Sequence, residues 1–399
     1  MKSTLQQEFA KMAEALYDET VQHRRHLHQY PELSFQENAT ADFVEKVLIE
    51  IGFTSIKRMA KTGVVALLHP QEHIGKVIGL RSDLDALPIH ETNVISYKSK
   101  HEGVMHACGH DVHTSSLLGT AKILSQVTDQ FEGTIKLIFQ PGEEKFPGGA
   151  SLMIDAGVLE NPAPVNIMGQ HVMNLIPAGK VGFREGMYMA SADEIYITVK
   201  GKGGHAAMPD KNIDPILIAS HIIIALQQVI SRNCDPRIPA VLSFGKIIGM
   251  GATNVIPDEV HIEGTFRTLN EEWRAEAKQR IRKMAVGIAE SMGATCDIDI
   301  KDGYPFLKNA PALAKRMRAA AVDFLGEDNV LDLDLWMAAE DFAYYSQKID
   351  AGFYRLGIRN EAKGITAGVH TANFDIDETA LQTGTGLMAW LALEELKAK

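Results

Sequence analysis

Residues 134–142 read TIKLIFQPG, an apolar run that ends on Gln-Pro-Gly. A short segment rich in Ile, Leu and Phe and closed by turn residues predicts a buried strand. Two similar runs precede it, GVVALLH at 63–69 and VIGLRSD at 77–83, and a helical stretch near 111–127 lies between the second and the third. Further upstream, residues 5–29 read as one helix. After the breaker Pro31 a second runs from Asn38 to Ile51. Strands alternating with helices predict an α/β fold, a sheet flanked by helices with functional groups at the strand ends.

The texture changes after Gly182. EIYITVK at 194–200 alternates apolar and polar residues, an apolar helix covers about 213–232, and strands follow near 240–248 and 259–267. A helix over 271–292 and an alternating strand over 295–300 complete the segment. The order strand, helix, strand, strand, helix, strand is that of a split βαβ, ferredoxin-like unit. Residues 187–303 are therefore expected to form a small α+β domain inserted into a larger one, made of 1–186 and 304–399. The returning part holds a helix near 311–325, LDLDLWMAAEDF, and a closing helix from about 377.

Size and charge agree with this division. A chain of 399 residues suits two domains. Its formal charge of −11 argues against a nucleic-acid partner or an anionic membrane, both of which need a basic footprint. The three cysteines, Cys108, Cys234 and Cys296, lack any scaffold-like spacing and suit a reducing compartment. The first twenty residues carry scattered charges and no apolar segment of the signal-peptide kind. No stretch is expected to approach the ~20 apolar residues of a membrane span. A cytoplasmic location is the expectation.

The densest chemical signal is MHACGHDVH at 105–113. Residues 101–113 hold four of the fifteen histidines. In extended backbone Cys108 and His110, two apart, point to one face, and a thiol beside an imidazole is half of a transition-metal site. Taken alone, the segment reads equally well as a buried cysteine beside solvent-exposed histidines. Three further features shift that balance. Glu143 and Glu144 follow directly on the strand 135–139, His171 ends the apolar run IMGQHV, and His370 sits in AGVHTANF. Neighbouring carboxylates at a strand end diverge, so one can bind metal while the other faces substrate.

Many motifs in one order now resemble a known family: RRHLHQYPELSFQE (24–37), GLRSDLDALP (79–88), MHACGHDVH (105–113), FQPGEE (139–144), MGQHV (168–172), GKGGHAAMP (201–209), NVIPDEV (254–260), GTFRTL (264–269) and AEDFAYY (339–345). The chain resembles the metal-dependent amidohydrolases that include hippurate hydrolase, N-acetyl-diaminopimelate deacetylase and plant auxin-conjugate hydrolases. They are a branch of the aminoacylase and carboxypeptidase metallopeptidases. The resemblance implies a zinc-peptidase-like catalytic α/β domain with an inserted lid that mediates dimerisation. It implies Cys108, His110, Glu144, His171 and His370 as metal ligands and Glu143 as general base. If Cys108 bridges, two divalent ions each gain three protein ligands and keep open positions, as a catalytic site requires. Bound hydroxide and a polarised amide oxygen then follow from the cations' charge. Asp85 resembles the carboxylate that orients a ligand imidazole. Two departures stand out: Asp83 occupies the place of a ligand histidine in the wider family, and the last motif reads His-Thr-Ala-Asn-Phe instead of ending in Ser-Pro.

In the lid the resemblance implies His205 as a donor to the tetrahedral oxyanion, frequently across a dimer, and Asn254 with Arg267 as binders of the substrate carboxylate. Arg suits that task because its planar fork meets a carboxylate bidentately. Glu340 is expected to line the site. His23, His26 and His28 read as a helix end packed against the catalytic domain, without metal. The expected activity is hydrolysis of N-acyl amino acids or similar small amides by a homodimer holding zinc, manganese, nickel or cobalt. A dipeptidase or carboxypeptidase with the same site is the alternative, and a non-catalytic metal-binding module the third reading.

Overall fold

The computed structural model describes residues 4–69 and 75–398. The elements run α1 (Thr4–Ala15), α2 (Tyr17–Gln29), α3 (Asn38–Ile51), β1 (Ser55–Met59), β2 (Gly63–Leu68), β3 (Val77–Asp83), α4 (His110–Gln126), β4 (Thr134–Gln140), α5 (Gly149–Asp155), β5 (Asn166–Pro177), β6 (Val181–Phe183) and β7 (Gly186–Met189). There follow β8 (Asp193–Lys200), β9 (Gly204–His205), α6 (Pro215–Gln228), β10 (Ala240–Ile248), β11 (Val255–Ile256), β12 (Glu259–Thr268), α7 (Glu271–Ser291) and β13 (Thr295–Asp302). The chain ends through β14 (Leu307–Asn309), α8 (Pro311–Leu325), β15 (Val330–Asp332), α9 (Ala343–Ser346), β16 (Asp350–Arg359) and α10 (Ala380–Lys397). The helix expected over 5–29 is divided at Leu16. There the Thr20 hydroxyl donates to the Leu16 carbonyl at 2.9 Å, the back-bonding that bends helices.

Two compact units result: residues 1–186, 308–334 and 344–399, and residues 187–307 with 335–343. The second unit therefore runs past 303 and takes in a segment that the sequence assigns to the outer domain. Backbone bonds explain this: Ala190 N–H reaches the carbonyls of Trp336 and Ala338, and Trp336 N–H that of Tyr188.

The first unit is built on an eight-stranded mixed sheet in the order β1-β2-β4-β3-β5-β16-β6-β15. Its centre is parallel: β3 pairs with β4 and β5, and β5 with β16. These strands are buried along nearly their whole length, which is why they read as apolar runs without alternation. Helices α3, α4, α8 and α10 pack against the sheet and close one core.

The second unit holds a four-stranded antiparallel sheet in the order β10-β12-β8-β13, backed by α6 and α7. That is the ferredoxin-like arrangement. β8 alternates buried and exposed residues along its length, as a sheet covered on one face requires. Contrary to expectation, Pro215–Asn233 is long and apolar enough, with mean hydropathy 1.4, to cross a membrane by length and composition. Ile218, Ile222 and Leu226 enter the core of this second unit, whereas Ile216, Leu217 and Ile224 stay exposed.

Candidate metal centre

His110 is the first residue of α4, and Gly109 before it is left-handed, with φ +80°. A side chain there would be strained and would also bring its Cβ within 2.6 Å of Val172 Cγ2. The expectation that extended backbone aligns Cys108 and His110 is thus corrected: a glycine turn brings them together. Cys108 Sγ lies 3.4 Å from His171 Nε2 and 3.3 Å from His370 Nε2. His370 itself has φ +61°, uncommon for a residue other than glycine, and its N–H is fixed by the Ala107 carbonyl at 2.7 Å. His171 is not at a strand end. It lies within β5, which runs on to Pro177 after its pairing with β3 has stopped at Gly169.

Glu143 and Glu144 follow the end of β4, as expected, beside the end of β3. Asp85, two residues beyond β3, ties these ends together. Its Oδ1 accepts from His110 Nδ1 at 3.2 Å and from Glu143 N–H at 3.0 Å. Its Oδ2 accepts from Glu144 N–H at 2.9 Å and from the Ser34 hydroxyl at 2.6 Å. Despite full burial, these bonds hold the Asp85 carboxyl below the usual range. With its Nδ1 proton in that bond, a neutral His110 ring would turn the Nε2 lone pair to a cation. His171 is set the same way, its Nδ1 donating to the Val172 carbonyl at 2.8 Å.

The donor set fits divalent cations. At metal–ligand lengths of ~2.0–2.3 Å, two tetrahedral ligands of one ion lie roughly 3.3–3.8 Å apart. Besides the two Cys108 distances, His370 Nε2 is 3.2 Å and His110 Nε2 is 3.9 Å from Glu144 Oε1. Within each of the sets Cys108, His110, His171 and Cys108, Glu144, His370, the donor atoms lie within 4.8 Å of one another. His110 Nε2 and Glu144 Oε1 are buried without a hydrogen-bond partner, which costs about 1–3 kcal/mol per group unless something else satisfies them. Burial, with the carboxylates of Glu144, Glu143 and Asp83, pushes the Cys108 thiol well up, so a thiolate there requires a neighbouring cation. Against burial, Asp83, Asp85 and Glu144 raise His110 to about 10. Such a field of negative charge is one that cations relieve. Glu143, buried, has a carboxylate oxygen within 4.8 Å of donors on His110 and Glu144.

His113 and Asp83 lie next to this set but are otherwise engaged. His113 Nδ1 donates to Asp83 Oδ1 at 2.6 Å and Nε2 accepts Val172 N–H at 2.9 Å. Arg81 takes Asp83 Oδ2 at 2.6 Å. Sequence reasoning missed Glu37, which is buried behind the Glu143–Glu144 loop. Its carboxylate accepts from the N–H groups of Phe35 and Gly142, both at 2.8 Å, and from the Thr62 hydroxyl at 2.7 Å. Gly142 is left-handed (φ +58°) and any Cβ there would strike the Phe35 ring. The only sequence signal was an acidic residue closing RRHLHQYPELSFQE. His23 and His26 pack on the Phe43 ring, while His28 bonds to Asp111 and Glu91.

In the second unit, β9 and β11 pair so that His205 faces Val255, and Ala206 N–H donates to the Asn254 carbonyl at 3.0 Å. His205 and Asn254 are thus neighbours and both are exposed. His205 Nδ1 accepts Ala207 N–H at 3.1 Å, which puts the proton of a neutral ring on Nε2. Arg267 lies on β12, half-buried, with one N–H toward the Met337 carbonyl at 3.3 Å. Glu340 belongs to this unit and accepts Phe342 N–H at 3.1 Å.

A parallel-centred α/β sheet that gathers a thiol, imidazoles and carboxylates around one point defines a metal-dependent hydrolase. The chain belongs to peptidase family M20/M25/M40, which matches residues 79–394. It is 43% identical over 298 residues to the N-acyl-L-amino acid amidohydrolase of Geobacillus stearothermophilus, covering 75% of this chain and 80% of that one. To the N-acetyl-L-cysteine deacetylase of Bacillus subtilis it is 42% identical, covering 90% and 83%. The solved YXEP protein of Bacillus subtilis, described as a dinuclear metal binding peptidase from the M20 family, superposes with a TM-score of 0.82 at 34% identity, over 97% of this chain and 100% of that one.

Proposed function

We propose that this protein is a two-metal amidohydrolase that cleaves the amide bond of N-acyl amino acids. The observation that carries this reading is the spacing of the Cys108, His110, Glu144, His171 and His370 donors, 3.2–3.9 Å between neighbours. Cys108, His110 and His171 would hold one divalent ion and Cys108, Glu144 and His370 the other, the two sets in which the donors lie together. When bound, the ions lower the pKa of water and polarise the amide carbonyl. Glu143 takes a proton from the attacking water and delivers it to the leaving nitrogen. The Nε2–H of His205 stabilises the oxyanion, and Asn254 with Arg267 holds the substrate carboxylate. Glu340 lines the same site.

A homodimer formed through the second unit completes this reading. β10 is an edge strand with Val241, Ile247 and Ile248 exposed, and α6 exposes Ile216, Leu217 and Ile224. The opposite edge, β13, carries Asp297, Asp299 and Lys301, charges that discourage pairing. Apolar β10 therefore suits a second copy. Three unpaired cysteines suit a reducing compartment such as the cytoplasm.

The test is a panel of N-acetyl-, N-benzoyl- and aminoacyl-amino acids, run before and after prolonged chelation. Acyl compounds should be cleaved without any need for a free α-amino group, and chelation should abolish turnover until divalent metal is returned. Full turnover by verified metal-free protein, or cleavage of aminoacyl substrates alone, would sink the proposal.

A further inference from the structure

Arg24, in the middle of α2, is a fully buried charge that grips two separate segments of the first unit. Its Nε donates to Asp111 Oδ2 at 2.9 Å, its Nη2 to Asp375 Oδ1 at 3.0 Å and its Nη1 to Glu378 Oε1 at 3.4 Å. Asp111 directly follows His110, and Asp375 lies on the stretch that leads from His370 to α10. Each end is reinforced. His28, one turn along α2, adds a second donor to Asp111 Oδ2 at 2.8 Å and turns its other nitrogen to Glu91 at 3.3 Å. The Tyr97 hydroxyl donates to Asp375 Oδ2 at 2.9 Å, and its ring lies 4.7 Å from the Arg24 guanidinium carbon. Asn93 and Thr92 bond to the carbonyls of Phe374 and Ala372, both at 2.8 Å.

A buried ion pair is weak evidence for stability, since apolar residues of similar volume often serve as well. The fork of Arg24 does something an apolar residue would not: it fixes the distance between two carboxylates, each on a segment that carries a metal donor. We infer that Arg24 is a positioning residue of the metal centre, setting the separation of His110 and His370 through Asp111 and Asp375. This rests on the two-metal reading above. His370 is exposed and left-handed, and its backbone is held at Ala107. The Arg24–Asp375 bond is a further restraint on the same segment, beside those from Thr92, Asn93 and Tyr97. Groups that orient ligands in this way typically account for 10–100-fold in metal affinity.

The experiment titrates chelator-stripped full-length protein with cobalt(II) against a competing chelator, following the thiolate-to-metal and ligand-field absorption bands. The variants are Arg24→Lys, which keeps the charge but loses the fork, Asp375→Asn and Tyr97→Phe. Asp375→Asn should weaken the ion held by His370 by ~10–100-fold and spare the other, whereas Arg24→Lys should weaken both by that range. The double variant should lose less than the product of the two, because both break one linkage. Arg316→Lys, which alters a remote paired fork on Glu395, should leave both affinities unchanged. Thermal unfolding of the stripped proteins separates this from a plain structural role, which would lower the midpoint without moving affinity or spectrum. Should Arg24→Lys fail to fold, Asp375→Asn and Tyr97→Phe decide, with Tyr97→Phe expected to give a smaller loss at the His370 ion. Folded variants with wild-type affinities and bands would overturn the positioning role alone. A wild-type protein that takes up no cobalt would overturn the centre itself.

Discussion

Asp85 and the two glutamates after β4 divide the work at the scale of single residues. Glu143→Gln keeps size and leaves all five donors in place but removes the proton acceptor. Metal content measured by elemental analysis should stay at wild type while kcat falls ~10²–10⁴-fold. Glu144→Gln should instead lose metal affinity, and reversed phenotypes would exchange the two assignments. Asp85→Asn keeps the shape of a side chain that now receives from His110, Ser34 and two backbone N–H groups. An amide can accept at only one of its two positions, so metal affinity should drop ~10–100-fold although Asp85 touches no ion. Unaltered affinity in a folded variant would refute that role. Residue identities of this kind were legible, because thiol, imidazole and carboxylate donors are rare enough to cluster visibly in a sequence. The hub behaviour of Asp85 and the support from Glu37 were not. Both depend on backbone N–H groups, which every residue has and no letter of the sequence reports.

Elements were legible where one period dominates. α3, β10 and α8 lie at the expected positions, and β8 alternates as a half-buried strand must. β16 went unread: DAGFYRLGIR mixes glycines and arginines into a central strand, and its Arg355 is fully buried. β4, by contrast, reads as a strand in spite of Lys136, whose ammonium donates to the carbonyls of Val158 at 2.8 Å and Glu160 at 2.7 Å. Burial lowers Lys136 to about 8 from an ordinary 10.5. Between those values the unfolded chain binds the proton more fully than the native one, so this group makes stability rise with pH; below 8 its cost is fully present. Relative to Lys136→Met, the wild-type urea midpoint should therefore climb from pH 8 toward 10.5. A constant difference between the two across that window would show that Lys136 titrates normally.

At the scale of the whole molecule the sequence reveals a second α+β unit but not what its apolar surface meets, since an apolar residue reads alike whether a core or a second chain covers it. Ile224 and Ile247 are among the exposed apolar residues of α6 and β10. Ile224→Glu combined with Ile247→Lys should give a folded monomer by sedimentation if that face joins two copies, and an unchanged dimer would place the interface elsewhere. The deeper consequence concerns His205, whose outward Nε2–H would serve the oxyanion of a neighbouring chain. His205→Ala should bind metal normally and turn over ~10²–10³-fold more slowly, the usual loss for one oxyanion donor. Mixing it with Glu143→Gln, inactive for a different reason, forms heterodimers in which one site is rebuilt. That site joins the intact Glu143 of one chain to the intact His205 of the other, while the second site lacks both. Activity approaching half of wild type per heterodimer is the expected result. If heterodimers form and stay inactive, His205 serves its own chain or takes no part in turnover, and the dimer is then an assembly without a shared site.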